Sequence, residues 1–354
     1  MKIILSKNAY FFIQLAIICL LGGIVCSFIL PSKFYNDAEI IVNDFHNEVG
    51  LIGSYPFTIF FYKITLLKFI PYFLVAIIQL PILYSLLYKI GVPTNFNHLT
   101  TKNFLVYIGF FLIALFICIP SKEFINFIYL CLIVFIFKDK KYSLQKSLWL
   151  SFALFVILGL FFRSYYLFVP VIAIMMYLFT FIKIANKTIK TVIFSLFIAV
   201  VMSFSYKLIT GKYISESTRE MHNLERLNSD EAQSMIQSPI SPDSWYGETF
   251  GVFYGYVSVN IPLNAVYQLL KPQVLAFIIW QLFIFYILYL RFQKCIKNRQ
   301  TYHHELWIFL FIFSYFVVQG MFEPDLGSAI RHKMGIFPLI YFAIYYDKFS
   351  IKKR

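Results

Sequence analysis

Residues 104–137 read FLVYIGFFLIALFICIPSKEFINFIYLCLIVFIF, two apolar runs interrupted once, by Pro120-Ser121-Lys122-Glu123. As helices rising 1.5 Å per residue, the runs 104–119 and 124–137 reach only about 24 Å and 21 Å. A bilayer's hydrocarbon core is about 30 Å thick. The turn between them therefore sits below the membrane surface. Irregular backbone and charge are tolerated at that depth only inside protein or beside a water-filled cavity. The stretch thus sets the fold as membrane-spanning α-helices and marks a recessed polar place within them.

Composition agrees along the whole chain. Of 354 residues, 60% are hydrophobic and 14% charged, with 43 Phe and 26 Tyr, and the mean hydropathy is +0.73. Soluble domains carry about 25% charge, so a secreted enzyme, a cytosolic enzyme and a nucleic-acid binder are excluded. Cys19, Cys26, Cys118, Cys131 and Cys295 lie almost entirely in apolar runs without paired spacing, which argues against a disulfide framework and a zinc site.

Apolar runs fall near 9–31, 69–88, 104–119, 124–137, 147–162, 165–182, 191–208, 273–290, 305–321 and 335–347. The first is too long for a signal-peptide core and lacks a small-residue cleavage site, so it reads as a retained span. Ten spans place both termini on one side. With that side cytoplasmic, the inner segments collect Lys138, Lys140, Lys141, Lys146, Lys183, Lys187, Lys190, Arg291, Lys294, Lys297 and Arg299, against Asp139, Glu305 and Asp347. This is the positive-inside pattern, and it accounts for a net charge of +14. Residues 51–67 would put the Lys138–Lys141 run outside if they crossed. They read as a re-entrant or interfacial helix, with eleven spans if they do cross. The expected fold is all-α, a single polytopic membrane domain over 1–354 with a large outer loop at 209–271.

That loop is polar to about 244 and then aromatic, with Trp245, Tyr246, Phe250, Phe253, Tyr254 and Tyr256. Loops of such length are functional or disordered. Met221, Leu224 and Leu227 recur at three-residue spacing and predict a helix over 213–237. The aromatics suit either a membrane interface or stacking on sugars.

Three further features share the outer side with Lys122 and Glu123. The run 147–162 ends at Arg163-Ser164-Tyr165-Tyr166. The last outer loop holds Glu323, Asp325 and Gly327. Arg331, His332 and Lys333 then follow. Each has a plainer explanation: Ser121 as a helix cap, Arg163 as a snorkelling helix end, Arg331–Lys333 as interface anchors. Since the other outer segments are poor in basic residues, a polar cavity open to the outside explains all of them together.

Recessed cations suit an anionic group that arrives with the lipid. Arg grips phosphate oxygens bidentately and Lys adds a point charge. A glycosyl diphosphate is already activated, so the site needs charge stabilisation on the leaving group and a base for an acceptor hydroxyl. No P-loop, dinucleotide, zinc-protease or nucleophile-elbow motif occurs, which leaves ATP-driven transport and common soluble chemistries without support.

In plan the chain resembles the bacterial polysaccharide repeat-unit polymerases, the Wzy-type O-antigen and capsule enzymes with their EpsG-like branch. Phe34-Tyr35-Asn36-Asp37 is similar to that family's early acidic loop, and Glu48-Val49-Gly50 to its acidic-Pro-Gly signature with Val in place of Pro. Pro120–Phe124 and Phe162–Tyr165 are similar to its polar helix-end motifs. Asp325-Leu326-Gly327-Ser328-Ala329-Ile330-Arg331-His332 resembles its last outer element. The resemblance implies a GT-C-like membrane glycosyltransferase of the bacterial inner membrane, with both termini cytoplasmic. An undecaprenyl-diphosphate-linked oligosaccharide would bind through Lys122, Arg163, Arg331 and Lys333. Glu123, Asp325 or His332 would serve as base, three candidates the sequence does not separate. No cofactor and no metal are implied; a flippase, a chain-length regulator and the membrane lipid are the expected partners, with no nucleic acid. An O-antigen ligase or another glycosyltransferase using lipid-linked sugars shares this chemistry, and a lipid-linked oligosaccharide flippase is a further alternative.

Overall fold

In the computed structural model, residues 6–31, 34–45, 47–48, 50–139, 141–226, 234–262 and 272–350 are described. Val49, Leu227 and Lys140, used in the sequence reading, lie outside the described residues. Among the described residues every regular element is helical, and one isolated bridge joins Met235 to Asp325. Helices satisfy all their backbone polar groups internally, the requirement that lipid imposes.

Among the described residues six helices are long and apolar enough to cross a membrane: α1 (Lys7–Ile29), α4 (Tyr72–Ile90), α7 (Leu144–Phe161), α9 (Lys187–Thr210), α12 (Pro272–Lys297, from Val274) and α13 (His303–Phe322). Two shorter apolar helices are α5 (Thr101–Phe116) and the segment Ser164–Phe179, which holds α8 (Phe168–Phe179). The protein is a helical membrane protein. The interrupted run at 124–137 is α6 (Lys122–Lys138). Residues 51–67 form α3 (Ser54–Ile64), which stops where Leu66 turns through the left-handed region at φ 61°. The run 335–347 divides, because Gly335 closes α14 (Leu326–Gly335) and Pro338 opens α15 (Phe337–Ile344); α16 (Tyr346–Ser350) follows.

Helix starts carry the expected chemistry. Thr100, Ser121, Ser143 and Ser244 each accept a hydrogen bond from the backbone N–H three residues on, at 3.2–3.3 Å. Such caps satisfy an otherwise orphaned donor.

The chain groups into two compact units: residues 1–164 with 331–354, and residues 165–330. In the first, α1 packs on α4 and α5, while α6 packs on α4, α7 and α15. Between α1 and α4 lie α2 (Asn36–Asn43) and α3, joined through a small core of Ile41, Ile59, Tyr62, Leu67 and Val75. Phe96, Phe110, Tyr341 and Tyr345 form an aromatic layer that ties the returning C-terminal segment to α5.

In the second unit α13 is almost wholly buried, surrounded by α8, α9, α11 (Trp245–Asn260) and α12. Residues 209–271 thus contain structured helix. The stretch predicted as helix over 213–237 is helical at Glu216–Glu220 and at α10 (Met221–Arg226), and is no longer helical at Met235–Ser238. The aromatic stretch is α11, which exposes Trp245, Tyr246 and Phe250 and buries Gly247, Gly251 and Gly255.

Candidate functional site

Four separate pieces of the first unit deliver charge to one place. α2 begins at Asn36, which puts Asp37 in its first turn, and Ala38 and Ile41 bury the helix's inner face. Ser121 caps α6, so Lys122 and Glu123 occupy that helix's first turn, ahead of its apolar run. α7 ends at Phe161, and the Phe162 and Arg163 N–H groups both fold back on Leu158 O, at 3.0 Å and 2.9 Å. This leaves the Arg163 side chain buried rather than reaching for solvent. Arg331 and His332 come from the second turn of α14.

The start of α6 is held by a phenol. The Tyr62 hydroxyl accepts from Ser121 N–H at 3.0 Å and lies 3.4 Å from Ser121 O, with Gln79 on its other side. Gly53, at φ +117°, occupies a conformation that L side chains rarely adopt; its N–H donates to Phe161 O at 2.9 Å and fastens α3 to the end of α7.

The charges form a chain of ion pairs. Asp37 Oδ2 lies 2.8 Å from Arg331 Nη1 and 3.5 Å from Lys122 Nζ. Tyr55, on α3, donates its hydroxyl to Asp37 Oδ1 at 2.7 Å and lays its ring 3.6 Å beneath Lys122 Nζ. Arg163 Nη2 donates to Glu123 Oε1 at 2.8 Å, and His332 Nε2 stands 3.3 Å from the same oxygen. Among the described residues Glu123 Oε2 is buried without a hydrogen-bond partner. Lys122, Arg163 and Arg331 thus face the carboxylates of Asp37 and Glu123.

Electrostatics follow from this geometry. Burial works against the Asp37 carboxylate, but Arg331, Lys122 and the Tyr55 hydrogen bond outweigh it and hold it well below the usual range. Burial and the neighbouring Asp37 charge push the Tyr55 phenol well above its ordinary range. A carboxylate so tightly paired is a weak proton acceptor.

The sequence-derived residues therefore divide. Lys122, Glu123, Arg163, Arg331 and His332 converge in the first unit. Lys333 follows on α14, buried. Asp325 belongs to the second unit, where both of its oxygens are engaged by Ser328, from N–H at 2.8 Å and from the hydroxyl at 2.7 Å. That is a helix-capping role. Asp37 and Tyr55 are additions: the early acidic loop announces Asp37, but nothing in the sequence sets it beside Arg331. Among the described residues no three His, Cys, Asp or Glu side chains converge as metal ligands.

The second unit buries another charge. Arg219 is fully enclosed, donating from Nη1 to Gly251 O and Gly320 O, each at 3.1 Å, with Glu220 3.5 Å from its Nε. Gly255 and Gly320 touch backbone to backbone beside it, where a methyl group on either would collide with the opposite main chain. Glu248 is buried nearby and accepts from Ser203 and Ser215. The signal for this packing is Gly247-x-x-x-Gly251-x-x-x-Gly255, the small-residue spacing that allows close helix approach in membranes. No protein-family model, curated protein or solved structure matches this chain.

Proposed function

We propose that this protein is a membrane glycosyltransferase that polymerises polysaccharide repeat units at the outer face of a bacterial inner membrane, with both termini cytoplasmic. In this reading the chain makes ten crossings with α3 re-entrant, and its architecture is GT-C-like. The donor is a growing glycan on a polyprenyl diphosphate, and the acceptor is a second lipid-linked repeat. The observation that carries the proposal is the meeting of Lys122, Arg163 and Arg331 in one cluster, buried at Lys122 and Arg163 and partly accessible at Arg331. Three cations from three separate segments suit the oxygens and charge of a diphosphate, and the Arg groups offer bidentate hydrogen bonding.

The roles then follow from position. The Arg pair and Lys122 take the charge that grows on the diphosphate as the bond to the anomeric carbon breaks. The acceptor oxygen attacks that carbon, and its proton passes to His332. Glu123 stands 3.3 Å from Nε2 of His332 and fixes the orientation of the ring. Glu123 orients the base rather than acting as one, consistent with its strong pairing to Arg163.

Deleting the gene and displaying surface polysaccharide on a gel tests the assignment. Collapse of a ladder to one repeat on its lipid anchor, restored by the wild-type gene and not by Arg163→Ala, is the expected result. Loss of every unit from the anchor would point to a ligase or a flippase. An unchanged ladder would remove the polymerase reading altogether.

A further inference from the structure

The site is to receive an anion from a membrane whose own phospholipid headgroups are anionic and vastly more abundant. Its cations nevertheless do not stand open to them, because Asp37 occupies two of the three. Arg331 and Lys122 converge on the single oxygen Oδ2, and Tyr55 fixes the other oxygen through its hydroxyl. The Lys122–Tyr55 stacking closes the arrangement from below. α2, which carries Asp37, is only eight residues long and packs chiefly on α3 and the short turn Leu67–Phe69.

We propose that Asp37 is a built-in competing anion that makes this site select a diphosphate over a phosphodiester. The inference rests on the diphosphate reading given above and deepens it. A phosphodiester headgroup brings one negative charge, the same as Asp37, and must displace a carboxylate already tethered in place. Tethering gives Asp37 the advantage of high effective concentration. A diphosphate brings more charge and a second phosphoryl group, so it satisfies Arg331 and Lys122 together and still reaches toward Arg163. Rejecting the abundant competitor by an internal repulsive group is specificity by opposition as well as by attraction. Removing the carboxylate keeps the cations and loses the discrimination.

The test uses the full chain in phosphatidylcholine nanodiscs, with geranylgeranyl diphosphate as probe and phosphatidylglycerol as competitor at about 30% of the lipid. For the wild type, adding phosphatidylglycerol weakens probe binding less than about twofold; for Asp37→Asn it weakens binding about tenfold, one decade in Kd. Asp37→Glu restores the wild-type insensitivity. Tyr55→Phe keeps the charge but frees it, and gives an intermediate sensitivity even if Asp37→Asn folds poorly. Equal sensitivity of the wild type and the Asp37 and Tyr55 variants overturns the competing-anion proposal and leaves the diphosphate site intact. Loss of probe binding by Asp37→Asn in pure phosphatidylcholine also overturns it, by making Asp37 a positioning group. A wild type that binds no diphosphate in either lipid removes both the site reading and the inference.

Discussion

Arg331 and Asp37, from opposite ends of the sequence, meet at 2.8 Å between Nη1 and Oδ2. The pair is partly accessible, with 22% and 15% of the side chains exposed, so it is a place a ligand can enter rather than a sealed structural bond. Arg331→Ala should abolish polymer while lowering stability by only about 2 kcal/mol, the usual worth of a charged hydrogen bond. Gel banding and a thermal melt in detergent measure the two effects separately. A normal ladder from this variant would take Arg331 out of the site.

Glu123 behaves differently because it is sealed. Replacing it with Ala leaves Arg163 buried without its carboxylate, which costs about 3–5 kcal/mol. Glu123→Gln keeps the shape and should cost less, while slowing turnover through a misaligned His332. Fluorescence-detected size-exclusion after a heat step, alongside turnover of lipid-linked repeats, checks both. Full activity in Glu123→Gln would end its orienting role.

In the second unit, Gly255→Ala should be far more damaging than an average surface change. The added methyl would meet the Gly320 carbonyl, which is main chain and cannot rotate away, and the Arg219 guanidinium. Overpacking of this kind costs about 1–3 kcal/mol. Trp245→Ala, on the exposed side of the same helix, serves as the contrast. Melting temperatures that drop equally for both would mean that the glycine contact does not matter.

α3 is eleven residues long, about 17 Å as a helix, and should not cross. In a cysteine-free background, single cysteines at Ser54 and Lys68 should react with an impermeant maleimide from the same side. Labelling from opposite sides would make 51–67 a full span.

Much of the helical architecture is legible from apolar run length, and the burial of Lys122 and Glu123 is legible from their place at the one break between the short apolar runs 104–119 and 124–137. The break near residue 336 needed attention to Gly335 and Pro338, which end one helix and open the next inside a run that hydropathy alone reads as continuous. The aromatic stretch at 245–256 exposes one face, that of Trp245, Tyr246 and Phe250. Its other face depends on glycines four residues apart, a spacing that competes poorly for notice beside Trp and Tyr. Asp37 could be seen as an acidic residue after the first helix, but its pairing with Arg331 and Lys122 is a product of tertiary folding with no local pattern.

The unit that holds the charged cluster is built from residues 1–164 and 331–354. During synthesis, therefore, Asp37, Lys122, Glu123 and Arg163 enter the bilayer long before Arg331 and His332 exist. The ribosome must deliver all of residues 165–330 before the first unit can be finished. Until then Asp37 has Lys122 but lacks its closer cation. Completion of the C-terminal helices is thus the step that assembles the charged cluster, and a prematurely terminated chain lacks it.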